Sequence, residues 1–227
     1  MQQLQKIAEN IWVAEQDLVL AGINMGARMT IVRLSNGNIW INSPIRISGT
    51  LLKSQIEELG NVKYIVAPNN FHSAFLSDCS KNFPEAEVWA TASVQKKRNR
   101  INFSGTLNGS GTYPWNEEIL TCGIEGMPWF QEHVFFHRSS NTLILTDMLF
   151  NHQGRQHLWE RIFCKINCCG SAHRPTRIFR SFIFNSKKFA KSLLPLFTLE
   201  KIDHIIIAHG ELIHSDCVMV FKNAFES

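Results

Sequence analysis

His72, Asp147 and His209 stand at comparable places in this chain, each just past a short apolar run. Lys63-Tyr64-Ile65-Val66-Ala67-Pro68 leads into His72, Leu143-Ile144-Leu145-Thr146 into Asp147, and Ile205-Ile206-Ile207-Ala208 into His209-Gly210. Runs of this kind, bounded by turn residues, read as buried strands. Loops at strand ends are where layered α/β folds build their sites. Two imidazoles and a carboxylate that converge there can hold one metal ion with open positions, a set suited to zinc hydrolysis or to mononuclear iron chemistry. On that reading His72 and Asp147 are the catalytic candidates, and His72, Asp147 and His209 the metal ligands. The same side chains also have roles that need no metal. His72 can bond a carbonyl at a helix start, Asp147 can accept backbone N–H bonds from the next turn, and His209 can pair with Asp147 directly.

Other chemistries find less support. The chain has no Gly-x-Ser-x-Gly elbow, no catalytic cysteine pattern and no glycine-rich phosphate loop. Cys164, Cys168, Cys169 and nearby His173 fit none of the usual paired-cysteine zinc spacings, so free thiols are expected there. Phe71, Phe75, Trp129 and Phe130 are either core or the wall of an apolar ligand pocket. The basic stretch 151–180, if it lies over that pocket, favours an anionic ligand.

The elements that must position these residues can be read from pattern. β-branched and aromatic residues mark strands at 10–14 and 29–34, and Ser35-Asn36-Gly37-Asn38 is a hairpin turn returning through 39–42. Leu52, Ile56 and Leu59 share one helical face, with Ser48 or Thr50 as cap and Gly60 as a left-handed stop. A strand at 64–68, a helix ending before Pro84 and a strand at 86–90 complete a β, α, β, α, β order, that of an α/β layer. Residues 101–119 look irregular. Strands follow at 134–136 and 143–145, joined by a hairpin at 138–141. The stretch 151–180 reads as short helices or a flap. A helix capped by Asn185 or Ser186 runs toward Leu196, and Pro195 is expected to end it early. The strand 204–208 and a helix after Ser215 or Asp216 close the chain.

At 227 residues and 44% hydrophobic, the chain has enough apolar material for a sizeable core, and one domain over 1–227 is expected. A net charge of +4 is mild, and its concentration in 96–100 and 155–180 reads as a solvated face, so no nucleic-acid partner is expected. No window reaches the ~18 apolar residues of a membrane span. The N-terminus lacks the basic-then-apolar order of a signal peptide, so a cytoplasmic location with reduced cysteines is expected.

With these residues in place, the chain resembles the metallo-β-lactamase superfamily, and within it a divergent branch described as a domain of unknown function. The likeness rests on 29–34, on Gly37-Asn38-Ile39-Trp40-Ile41-Asn42-Ser43-Pro44, on 60–72, on 132–151 and on Ala208-His209-Gly210. It implies an αββα four-layer sandwich of two mixed β-sheets flanked by helices. In active members a His-x-His-x-Asp-His motif supplies most ligands of a dinuclear site. Set on this chain, the motif falls on Asn70, His72, Ala74 and Phe75, and three of those four lack a metal-binding side chain. A further histidine position falls at or near Trp129, the bridging aspartate on Asp147 and the late histidine on His209. Asn42-Ser43-Pro44 replaces the usual Asp-x-Gly turn. The resemblance therefore implies an eroded site: one zinc or iron ion rather than a dinuclear zinc centre, in a non-catalytic protein or a weak hydrolase of small ester, lactone, thioester or phosphodiester substrates. Glu132, His133 and His137 are further donors of unknown placement. The competing reading is a metal-free ligand-binding or scaffold protein using Trp129 and basic residues of 155–180, and a mononuclear iron oxidoreductase is third.

Overall fold

A computed structural model describes residues 3–20, 22–109, 111–152, 158–169 and 174–225. Alternation along the strands sets its layers. The first sheet joins β1 (Gln5–Ala8), β2 (Ile11–Gln16), β5 (Ala27–Arg33), β6 (Asn38–Asn42), β7 (Asn61–Ala67), β8 (Glu87–Thr91) and β9 (Gly105–Leu107), in that order. A short hairpin of β3 (Val19–Leu20) and β4 (Ile23–Asn24) stands apart from it. Pairing is antiparallel as far as β6 and parallel from β6 to β9. The switch follows from the connections, because the parallel strands are joined through α1 (Leu52–Leu59), α2 (Leu76–Asn82) and α3 (Ala92–Lys97). The second sheet, β10 (Ile119–Gly123), β11 (His133–His137), β12 (Thr142–Ile144) and β13 (His204–Ile206), is antiparallel except for the parallel pair β12–β13.

Successive side chains on a strand face opposite ways, and here each face has its own core. Met29, Ile31, Ile39, Ile41 and Ile65 pack outward against Leu52, Ile56, Leu76 and Val94 of α1–α3. Val32, Trp40, Tyr64 and Val66 point inward and meet Phe135, Ile144 and Ile206 of the second sheet. Trp40 bridges the sheets, edge-on to Phe135 at 5.0 Å between ring centroids. Leu143, Leu145, Ile205 and Ile207 face outward again, under α5 (Arg177–Ser181), α6 (Ser186–Phe197) and α7 (Cys217–Phe225). α4 (Leu158–Asn167) lies near β4, where the Asn24 N–H donates to Glu160. The result is the expected αββα arrangement of two mixed sheets. A one-residue slip in β6 would put Trp40 under the helices and Ile39 and Ile41 between the sheets, which fixes the register. No helix among the described residues is long and apolar enough to cross a membrane.

Several local expectations need correction. α1 starts without a side-chain cap. Leu51 occupies the cap, Thr50 Oγ1 accepts from the Leu52 N–H at 3.2 Å, and the Ser48 N–H donates instead to Asp78. Gly60 is not a left-handed stop. Its φ is +156°, and a Cβ there would lie 2.1 Å from the Gly37 carbonyl oxygen, so close approach to the hairpin turn is what demands glycine. Pro195 does not end α6 early. It stands two residues before the last helical residue, exposed, and the carbonyl it leaves unbonded belongs to exposed Lys191 while Leu193 and Leu196 anchor the helix. The stretch 101–119 holds β9, where bare Gly105 lets the Trp89 ring lie against the backbone.

Candidate functional site

Each ligand candidate is delivered by the end of a strand. β7 stops at Ala67, and Asn69 then turns the chain, its Oδ1 accepting the N–H groups of Phe71 and His72, both at 2.9 Å. That turn brings His72 back over the sheet end. β12 runs on through Leu145 and Thr146 to Asp147, and β13 through Ile207 and Ala208 to His209. Gly210 follows with φ +91°. A Cβ there would lie 2.1 Å from the Asn151 carbonyl oxygen, so glycine alone lets the chain at 151 run beside this turn. Arg28, buried in β5, spans the sheets to the same turn. Its guanidinium donates to the carbonyls of Ile207 and Gly210 while Glu15 holds its Nε and Nη2 at 2.9 and 2.6 Å.

The three side chains meet. His72 Nε2 lies 3.2 Å from Asp147 Oδ2, His209 Nε2 lies 3.1 Å from Asp147 Oδ1, and all three ligand atoms fall within 4.8 Å of one another. The two imidazole rings are 5.4 Å apart, and Phe150 stacks on His209 at 4.7 Å. This is the one group of three or more metal-capable side chains among the described residues.

Hydrogen bonds fix how each ring is presented. His209 Nδ1 lies 3.1 and 2.9 Å from the carbonyl oxygens of Met25 and Gly26, which only accept, so Nδ1 carries a proton. Nε2 then turns toward Asp147. Two acceptors would face each other across 3.1 Å unless a cation, either a proton or a metal ion, stands between them. His72 Nδ1 contacts Ser43 Oγ at 2.5 Å, and Ser43 itself holds φ +55°, unusual for a residue with a side chain.

Behind the floor lies a second polar set. Asn69 Nδ2 donates to Asp147 Oδ2 at 2.8 Å and to Glu132 Oε2 at 2.5 Å, and the Thr146 hydroxyl donates to Glu132 Oε1. Burial, then the charge of Asp147, pushes the Glu132 carboxyl up to about 8. Burial alone would raise Asp147 too, but the charge of His72 and the hydrogen bonds from both imidazoles outweigh it and hold Asp147 below the ordinary carboxylate range.

These donors fit one ion. Around a tetrahedral ion bound at ~2.0–2.1 Å, ligand atoms stand about 3.4 Å apart; the two imidazoles reach different oxygens of Asp147, so with either oxygen as ligand one edge matches and the other two, within 4.8 Å, must contract. Each ligand also has the outer partner that such sites use to set orientation: Ser43 for His72, Asn69 for Asp147, and two carbonyls for His209. A second ion finds no comparable set among the described residues. Asn70 turns away, its amide engaged with the Trp129 carbonyl and Ser93 Oγ, each at 2.6 Å. Ala74 and Phe75 bring no donor, and Glu132 spends both oxygens on Asn69 and Thr146. His133 contacts the carbonyls of Pro68 and Gln131, and His137, at the far end of β11, bonds Ser140.

Over this floor opens a cavity of about 330 Å³ lined by Phe71, Phe75, Phe130, Phe163, Phe179 and Phe182, among other apolar groups. Trp129 is not part of it. Positive φ at Gly126 and Gln131 shapes a turn that sends Trp129 out, 71% exposed, and Phe130 in. The expected basic rim is also relocated. Lys97 and Arg98, at the end of α3, line the chamber, whereas Arg174 before α5 and Arg161, Arg177 and Arg180 on α4 and α5 face solvent, and the apolar sides of those helices build the wall. Cys164 and Cys169 are buried, Cys168 is exposed, and the Cys169 Sγ donates to the Cys164 carbonyl oxygen at 3.9 Å. Arg155 and His173 lie outside the described residues.

Of the residues around this candidate site, the sequence alone did not point to Arg28, Ser43 or Asn69 and did not place Glu132. An arginine near the start of the apolar run of β5, and an asparagine two residues before Phe71-His72, were the available signals.

A family model described as Domain of unknown function (DUF4336) matches residues 8–156. Among solved structures, DIM-1 metallo-β-lactamase exposed to ceftazidime is 15% identical, with a TM-score of 0.69 over 99% of this chain and 96% of that one. A metallo-β-lactamase from Pontibacter korlensis is 11% identical, with a TM-score of 0.66 over 100% of both chains. The FIM-1 enzyme from Pseudomonas aeruginosa, in a mono-zinc form, is 8% identical, with a TM-score of 0.65 over 99% of this chain and 95% of that one. Identities this low establish the fold alone. No curated protein matches the chain.

Proposed function

The chain belongs to the family described as Domain of unknown function (DUF4336), on a metallo-β-lactamase fold, and from that premise we propose that it is a single-metal protein with weak hydrolytic activity. His72, Asp147 and His209 hold one zinc or iron ion beneath the apolar chamber, and the substrate is a small ester, lactone, thioester or phosphodiester. The observation that carries this reading is the orientation of His209. With its Nδ1 proton committed to the Met25 and Gly26 carbonyls, its Nε2 is presented to Asp147 Oδ1 at 3.1 Å in the tautomer that a metal requires. Such an ion, when bound, supplies Lewis acidity and a water whose pKa falls from 15.7 toward ~7.

The chain's own groups do the rest. Ser43 holds the His72 ring, and Asn69 keeps the Asp147 carboxylate turned to both imidazoles. The phenylalanine wall takes the apolar part of the substrate and keeps bulk water from the floor. Glu132, protonated near neutral pH, leaves Asp147 as the one anion of the pair, so the floor is not overloaded with negative charge.

Metal analysis of protein purified without added ions tests this directly. Close to one equivalent of zinc or iron per chain is expected, lost in His72→Ala, Asp147→Ala and His209→Ala. Absence of metal, with thermal stability unchanged by a chelator, overturns it and favours the second reading, a metal-free binding protein. That reading has its own support, since two protons on the imidazoles would satisfy both oxygens of Asp147 as they stand.

A further inference from the structure

The chamber above the floor is more selective than a generic apolar pocket. Its wall is dominated by phenylalanine rings from five separate stretches, and Phe71, Phe130 and Phe182 touch one another at 5.2 to 6.1 Å between centroids. Three of its lining residues, Leu20, Phe71 and Ile178, are at the same time 55%, 58% and 48% exposed, so the apolar surface continues from the interior out over the mouth. Cations stand at that mouth. Lys97 and Arg98 line the cavity, and the Arg46 guanidinium lies 5.9 Å from the centre of the Phe75 ring. None of the three is in an ion pair with a described carboxylate.

Arg98 gives the most direct indication of an occupant. Its Nε is shut off from solvent and has no hydrogen-bond partner. A buried N–H on a charged group is costly to leave unpaired. The one carboxylate among the described lining residues, Asp147, is already occupied by His72, His209 and Asn69. Arg98 lines the chamber, and Asp147 is therefore no counter-ion for its guanidinium, which leaves that charge for the head of a ligand.

We propose that the chamber takes an anionic amphiphile: a carboxylate or phosphate head on Arg98 and Lys97, and an aliphatic body of about eight to ten carbons within the phenylalanine wall, a size suited to a small-ligand pocket. This rests on reading the chamber as the ligand site, and it does not require the ion beneath it. The phenylalanines supply non-directional apolar contact that tolerates a flexible chain, and the guanidinium supplies a charge-assisted bond that a neutral chain cannot use. Discrimination therefore resides in the head, and affinity in chain length.

The test is calorimetric titration of the full chain with decyl phosphate, decanoate and decanol, before and after chelation. Both anions are expected to bind saturably, more tightly than decanol, and equally in chelated protein. Arg98→Gln is expected to weaken the two anions about tenfold and to leave decanol unchanged. Ala74→Trp, which fills the chamber from a partly open position, is expected to abolish binding of all three while metal content stays at the wild-type level. Decyl phosphate binding no tighter than butyl phosphate, or indifferent to Arg98→Gln, overturns the proposal. Loss of metal without loss of amphiphile binding defeats only the metal reading, and the converse defeats only this one. Co-sedimentation with phosphatidylglycerol and phosphatidylcholine vesicles separates the sources. Uptake of decyl phosphate as a monomer assigns a soluble amphiphile, uptake only alongside binding to the anionic vesicles assigns a membrane lipid, and binding to neither overturns the proposal.

Discussion

Asp147 and Glu132 are both buried and share the amide of Asn69, yet burial has opposite outcomes for them. Asp147 faces two imidazoles at 3.1 and 3.2 Å, and their pull exceeds the cost of removing its charge from water. Glu132 faces only neutral donors and the charge of Asp147 itself, so its proton is retained up to about 8. The lesson is that hydrogen bonds from an amide and a hydroxyl do not hold a second buried anion, whereas two facing imidazoles hold the first. The sharpest way to break this comparison is Asp147→Asn. It leaves two imidazoles facing a neutral group, so a loss of about 3–5 kcal/mol in denaturant unfolding is expected, together with loss of bound metal. Glu132→Gln, of the same size and polarity, should cost far less at pH 7. Equal losses would show that the two carboxyls are not distinct in charge.

The next effect is one of pH. Because Glu132 is raised in the folded state, the folded chain keeps a proton that the unfolded chain gives up near pH ~4.3. Stability from this group is thus fully present below about pH 4, falls as pH rises toward 8, and is flat above. The slope can reach ~1.4 kcal/mol per pH unit. Glu132→Gln should flatten that dependence in chelated protein. Urea unfolding of both proteins between pH 5 and 9 measures it, and parallel curves would mean that Glu132 is ionised throughout.

Much of the frame behind this contrast was legible in the residues. The runs at 63–68, 143–146 and 205–208 are strands or strand ends because β-branched residues alternate between two cores, and that alternation is written locally. The convergence of His72, Asp147 and His209 followed from their common place at strand ends. What stayed hidden depends on contacts across the sheets. Arg28 meets residues 207 and 210 from β5, and Asn69 meets Glu132 and Asp147 from β7, separations that no periodicity encodes. Trp129 was misplaced for a related reason. Whether it or Phe130 enters the wall is decided by positive φ angles at Gly126 and Gln131, and a glutamine gives no hint of one.

Ser43 carries the smallest expected effect on stability, and it separates orientation from packing. Its φ of +55° is costly for a serine and costless for glycine, while its Oγ bonds His72 Nδ1 at 2.5 Å. In Ser43→Gly the relief of strain and the lost hydrogen bond are each about 1 kcal/mol and oppose each other, so unfolding should move little. Metal affinity should nevertheless fall about 10–100-fold, because the His72 ring loses the partner that fixes its direction. Ser43→Ala keeps the strain and loses the bond, so it should be less stable than Ser43→Gly and equally weak toward zinc. If both variants bind zinc as tightly as wild type in a competition titration, the His72 ring is held by packing alone. The difference between the Asp147 side and the Glu132 side would then owe nothing to its outer partners and everything to charge.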